Sequence, residues 1–133
     1  MSTRATRRAS PSAPADRTTS RSDADQRTLA EIRQTFGLSQ NELARLFDRN
    51  ASSLVEWRSR GVPQDKKATL GRLRDLAKVF RRKIYEERIP EIVRTPDEWL
   101  GERSIIETLS SDPRNGIDTV YAYLDRLFSY VPE

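Results

Sequence analysis

Residues 37–61, GLSQNELARLFDRNASSLVEWRSRG, hold two helix starts so close together that only a short helix and a tight turn fit between them. Ser39 is a natural N-cap, and Glu42 three residues on completes a capping box, in which side chain and backbone satisfy each other's orphan N–H groups. Leu38 leads in as a buried residue, and Leu43, Ala44 and Phe47 then fall on one helical face. The small Ala44 lets a partner helix come close. Asp48-Arg49-Asn50 gives a polar break, with Asn50 as the next N-cap. On the second helix Leu54 and Trp57 face inward, while Ser52, Ser53, Glu56 and Arg60 face out. Gly61 followed by Val62-Pro63 stops it. Two short helices, a tight turn and a polar outer face on the second make a helix-turn-helix, the geometry that seats a helix in the DNA major groove. Any pair of amphipathic helices in an all-α core produces part of this pattern. What separates the two readings is that the lead-in Leu, the Ser-Gln start, Ala, break, cap and Trp all come in register.

The rest of the chain extends an all-α reading. Residues 1–25 are Ser, Thr, Arg, Ala and Pro with almost nothing apolar, too little to offset ordering entropy, so a disordered basic tail is expected. Its Arg4, Arg7, Arg8, Arg17 and Arg21 suit either an arm on DNA phosphates or a plain solvated tail. A first helix is expected from Asp25 to Phe36, with Leu29, Ile32, Arg33 and Phe36 at 3-4 spacing and Gly37 as its C′ residue. A long helix is expected from Gln64 to about Arg88, with Leu70, Leu73, Leu76, Ala77, Phe80 and Ile84 forming a stripe. That stripe serves packing on the helix-turn-helix, self-association, or both.

Pro90 and Pro96 then punctuate a connector, and Thr95-Pro96 opens a short helix through Leu100, ended by Gly101. Ser104 and Glu107 repeat the capping box and open a helix to about Leu109. Residues 110–116, SSDPRNG, are a turn signal, and a last helix spans about Ile117 to Tyr130. Its stripe is Ile117, Val120, Tyr121, Leu124, Leu127, Phe128 and Val131. No alternating run suggests a strand. The expected organisation is a tail over 1–25, a helix-turn-helix domain with a long connecting helix over 26–88, and a small helical domain over 89–133.

Composition narrows the chemistry. The 133 residues include no Cys and no His, which removes thiolate nucleophiles, disulfides, the usual general base and the commonest metal ligand. No carboxylate pair sits among site-building residues, so an enzyme is the least expected class, and no cofactor is implied. No apolar run approaches the length of a membrane span, and no apolar segment follows Arg7-Arg8 as a twin-arginine signal requires, so a cytoplasmic location without membrane attachment is expected. A net charge of +4 is compatible with a nucleic-acid partner but weak evidence, because residues 1–27 hold six Arg against three Asp.

Two halves of the chain resemble known families. Residues 28–61 are similar to the DNA-binding domain of Xre-type repressors, through Ile32-Arg33, Gly37-Leu38-Ser39-Gln40, Glu42-Leu43-Ala44 and Trp57. Residues 89–128 resemble the toxin-binding domain of the Xre/MbcA/ParS antitoxins, through Thr95-Pro96-Asp97-Glu98-Trp99-Leu100-Gly101, the capped segment Ser104 to Leu109, and Val120 to Phe128. There are departures. The family's second Gly after the Leu-Gly pair is Glu102 here, its helix-opening Pro is Ile105, and its Gly-aliphatic turn is Asp48-Arg49.

The resemblance implies a type II antitoxin that neutralises a cognate toxin, most often a RES-domain enzyme that consumes NAD, and represses its own operon. The chain would act as a homodimer or in a larger hetero-oligomer with the toxin. On DNA, Gln40 and Asn50 are expected to position the motif on phosphates, Ser52, Ser53 and Glu56 to approach base edges, and Arg49, Arg58 and Arg60 to supply charge. For the toxin, the expected surface is residues 95–133: Trp99, Arg103, Tyr123, Tyr130 and the segment Val131-Pro132-Glu133. Tyr121 and Phe128 fit the core stripe, whereas Tyr123 and Tyr130 fall off it and are therefore offered as interface anchors. Two alternatives stand beside this reading. One is a stand-alone repressor whose C-terminal helices only dimerise. The other is a protein-binding adaptor with a degenerate helix-turn-helix, since no Asn, Gln or Arg sits in the middle of the second helix.

Overall fold

The computed structural model describes the backbone of residues 13–129 and the side chains of residues 23–129. It is all-α. The order is α1 (Ala13–Phe36), α2 (Gln40–Arg45), α3 (Ala51–Arg60), α4 (Gln64–Lys83), α5 (Ile89–Arg94), α6 (Ile105–Ser111) and α7 (Gly116–Ser129), with 3-10 turns at Glu86–Arg88 and Glu98–Leu100. Among the described residues the only extended pairing is an isolated bridge between Asp97 and Arg103, and no helix is long and apolar enough to cross a membrane.

Helix α1 starts upstream of the expected Asp25. Asp25 is already inside the helix, where it pairs with Lys67 of α4 at 3.2 Å. Pro14 stands in the first turn, where its missing N–H has no helical partner to lose. Residues 1–12 of the expected tail, with Arg4, Arg7 and Arg8, lie outside the described residues. At its other end α1 closes on Gly37, whose φ of 69° turns the chain while the Leu38 N–H donates back to the Arg33 carbonyl (2.9 Å).

Helix α4 packs along α1, and the stripe read from the sequence is inside as far as Phe80: Leu70, Leu73, Leu76, Ala77 and Phe80 are buried, with the Phe80 ring edge-on to Phe36 at 5.1 Å, while Ile84 falls beyond the helix and is half-buried. The packing partner of that stripe is therefore the chain's own α1. The helix ends at Lys83 rather than near Arg88. Ile84 turns extended (φ −132°, ψ 141°), and this break reverses the chain so that Ile89 and Val93 reach the core. The expected connector is thus a helix, α5, and Pro90 sits in its first turn rather than between elements. Thr95 closes α5, its hydroxyl donating to the Glu91 carbonyl (2.8 Å), so it does not open the next turn. Asp97 does, accepting from the Trp99 N–H (2.8 Å). Gly101 then ends that turn as expected, in the left-handed region.

Ser104 caps α6 in a full capping box with Glu107. Gly116, read as part of a turn, is the first residue of α7 and its point of contact with α6: a Cβ there would lie 2.5 Å from the Thr108 carbonyl oxygen. One hydrophobic core runs from Leu29 to Leu124 and crosses the expected 88/89 boundary without a break.

Two of the three departures from the antitoxin pattern that the sequence resembles, Asp48 (φ 59°) and Glu102 (φ 65°), are the non-glycine residues with positive φ among the described residues. A left-handed L-residue costs roughly 1–2 kcal/mol, less for Asp, which visits this region more readily. Glu102→Gly is expected to raise stability by about 0.5–1 kcal/mol, after allowing for the entropy glycine loses on folding, and Asp48→Gly by less. Gly116→Ala is expected to cost about 1–3 kcal/mol, because the new methyl meets backbone rather than a movable side chain. Urea denaturation of the three variants checks the opposite signs.

Candidate functional site

The α2–α3 segment is built as its spacing predicts. The Ser39 hydroxyl accepts from the Glu42 N–H (3.1 Å) and the Ser39 N–H donates to the Glu42 carboxylate (2.8 Å). The turn closes through the Arg49 N–H on the Ala44 carbonyl (3.0 Å). Leu43, Ala44, Phe47, Leu54 and Trp57 are buried, with the Trp57 ring edge-on to Phe47 at 5.5 Å. The Gln26 amide ties α1 to the Trp57 carbonyl (3.2 Å).

This packing leaves the outer face of α3 to solvent. Ser52, Glu56, Arg58 and Arg60 are exposed, and Ser53 is half-buried. Asn50 is committed to the cap: its Oδ1 accepts from the Ser53 N–H (3.3 Å), the Ser52 hydroxyl (2.6 Å) and the Ser53 hydroxyl (3.5 Å). Arg60 lies 3.5 Å from the Glu56 carboxylate. Arg49 is exposed and folds onto its own loop, donating to the Asp48 carbonyl (3.0 Å). Gln40, half-buried at the start of α2, lines a shallow recess with Arg33 and Arg58. The eight residues offered for DNA therefore cluster on α3 and its flanks. Sequence reasoning missed Val55, which is 53% exposed in the middle of that face. It stands three residues after Ser52, so the same helical count that placed Ser52 outside would have placed Val55 there too.

A second cluster joins this motif to the C-terminal half. Arg94 of α5 grips the Glu42 carboxylate with both terminal nitrogens (2.9 and 3.0 Å) and also donates to the Gly37 carbonyl. Burial pushes the Glu42 pKa up, but the Arg94 guanidinium and the Ser39 N–H outweigh it and hold the carboxyl below its ordinary value.

The C-terminal face is organised by Asp97. One carboxylate oxygen caps the 3-10 turn, and the other accepts from the Tyr123 hydroxyl (2.9 Å). Tyr123 is only 8% exposed, which corrects its placement off the stripe. The loop 97–100 folds over α7 and covers Tyr123, a tertiary contact that helical periodicity does not contain. Burial, followed by the Asp97 carboxylate, pushes the Tyr123 hydroxyl up to about 12. Leu127, expected in the stripe, is instead 39% exposed. Trp99 is 42% exposed, tilted against Tyr123 (5.8 Å between centroids) and under the Arg126 guanidinium (5.9 Å). Arg103 is exposed and donates to the Ser111 hydroxyl (2.8 Å) on α6. Tyr130, Val131, Pro132 and Glu133 lie outside the described residues. Of the C-terminal candidates the structure thus brings Trp99 and Tyr123 together, adds Arg126 and Leu127 beside them, and sets Arg103 on the side of α6.

The Arg94–Glu42 pair has a pH signature. Because the folded Glu42 value is lowered, its contribution is fully present above the ordinary glutamate range and lost as pH falls through the lowered value. Both side chains are partly open to water, so removal of the pair is expected to cost about 1 kcal/mol or less at neutral pH. Arg94→Ala is expected to lose that increment near neutrality and to show a flatter decline on the acid side, measured by chemical denaturation at a series of pH values.

Comparison of the chain with family models, with curated proteins and with solved structures gives no match.

Proposed function

We propose that this chain is an antitoxin that binds and blocks a cognate toxin with its C-terminal face and represses its own operon through α2 and α3. The observation that carries the DNA half is the presentation of α3. It is capped, braced from behind by Trp57 and Leu54, and free of packing on an outer face flanked by Arg49, Arg58 and Arg60. Phosphate contacts from such arginines set affinity, and contacts to base edges set preference. The toxin half rests on the resemblance of residues 89–128 to the Xre/MbcA/ParS toxin-binding domain. The half-exposed Trp99 and Leu127 beside Arg126 add to it, since aromatic and Arg anchors dominate interface energetics. A RES-domain toxin that consumes NAD follows from the resemblance alone. One observation favours a stand-alone repressor instead: α5, α6 and α7 complete the core beneath the helix-turn-helix, a role that needs no toxin.

Each half has its own test. In gel shifts on the chain's own promoter, the Arg49/Arg58/Arg60 triple-Ala variant is expected to bind at least about tenfold more weakly at physiological salt. Its plot of log affinity against log salt should be shallower by about 2–3, close to one unit per lost phosphate contact. Unchanged affinity removes the DNA reading. In cells expressing the product of the adjacent gene, a chain ending at Ser129 keeps all of α7. It is expected to retain promoter binding but to fail to rescue growth. Full rescue by that chain excludes residues 130–133 from the docking surface, and failure of the full chain to rescue favours the stand-alone repressor.

A further inference from the structure

Val55 is the one large apolar side chain of α3 that is more than half exposed. Leu54 and Trp57 already meet the apolar needs of α3, and a β-branched residue on an exposed helix face lowers helix propensity. Its neighbours on that face are exposed and polar or charged: Ser52 three residues before, Glu56 next to it, Arg58 three residues after and Ser59 four after. A lone aliphatic group in such surroundings is far below the roughly 800 Å² per partner of a stable protein interface.

On the N-terminal side of Val55 the side chains are mostly oxygen acceptors, while the donors of Arg58 and Arg60 lie one turn on. The Ser52 and Ser53 hydroxyl protons are turned into the Asn50 cap (2.6 and 3.5 Å), and the Ser59 hydroxyl donates to the Glu56 carbonyl (3.2 Å). The Glu56 carboxylate accepts only. From Ser52 to Glu56 the side-chain face therefore offers mainly oxygen atoms and the two methyls of Val55, with Arg60 beside the Glu56 carboxylate. In the major groove thymine presents a C5-methyl group, cytosine and adenine present an amine, and the guanine edge presents only acceptors. A methyl beside an acceptor therefore fits a thymine next to an amine-bearing base, at the stretch from Ser52 to Glu56.

We infer that Val55 reads the 5-methyl group of a thymine, while Glu56 accepts from the exocyclic amine of a cytosine or adenine at the adjoining base step. The inference rests on the DNA reading proposed above and names the half-site feature it selects.

The test begins with selection of duplexes from a random pool by the full chain. In the selected site each thymine is then replaced in turn by deoxyuridine, which deletes only the methyl. At one thymine per half-site the replacement is expected to weaken wild-type binding by about fourfold, the worth of one methyl-sized group taken out of water. Val55→Ala is expected to melt like wild type, to bind the thymine and deoxyuridine sites equally, and to match wild type on the deoxyuridine site. Val55→Ile, which keeps the methyls, is expected to keep the discrimination. Neutral deoxyuridine at every position, or undiminished discrimination by Val55→Ala, overturns the inference while leaving DNA binding intact. Loss of self-association in Val55→Ala with no deoxyuridine effect assigns the residue to a second copy of the chain and overturns it as well. Failure of the full chain to enrich any duplex removes the DNA reading itself, and this inference with it.

Discussion

The fold turns on Gly37. The backbone there must adopt a positive φ to end α1 and send the chain into α2. The same residue is where α5 docks: a Cβ on Gly37 would sit 2.9 Å from the Pro90 side chain. Its carbonyl, left unsatisfied by the end of the helix, accepts from Arg94. The position where the first helix stops is thus also where the C-terminal half is fastened, and Arg94 carries the fastening on to Glu42 in the first helix of the motif. No side chain larger than hydrogen satisfies the dihedral and the close approach together.

What was legible in the sequence was what depends on neighbours along the chain. Both capping boxes, the Asn50 cap, the Gly37, Gly61 and Gly101 stops and the α4 stripe up to Phe80 involve residues at short helical spacing, and these stand where spacing put them. What was not legible depends on partners far away. Pro90 looks like a breaker unless α1 is known to lie against it. Tyr123 looks like a surface aromatic unless the 97–100 loop is known to cover it, a contact reaching back 26 residues. Gly116 looks like a turn residue unless the closeness of α6 and α7 is known. In the candidate DNA face the polar and basic residues were readable because their chemistry names them. Val55 could be placed there by helical count but not singled out, because an exposed aliphatic draws attention only against the burial of Leu54 and Trp57 on the same helix.

The two faces differ in how firmly they are held. On α3 the cap and the serine hydroxyls bond locally, so the helix presents a surface that tertiary rearrangement need not assemble. On the C-terminal face Trp99, Asp97 and Tyr123 belong to elements distant in sequence and keep their arrangement only while α7 and the 97–103 loop stay in register. Local bonding suits a face that meets a rigid duplex. The C-terminal arrangement spends the polar groups of Asp97 and Tyr123 on each other and leaves the Trp99 ring partly uncovered, which suits an apolar contact.

The unbroken core has a consequence for the lifetime of the protein in a cell. Two independently folded modules would open separately, and a ligand on one would do nothing for the other. Here Leu29 to Leu124 form a single hydrophobic cluster, so large openings expose both halves at once. Any molecule that binds only the folded chain, on whichever side, lowers the open population of the whole by mass action. Where proteolysis follows that population, a ligand on the C-terminal face would prolong the survival of α3 as well.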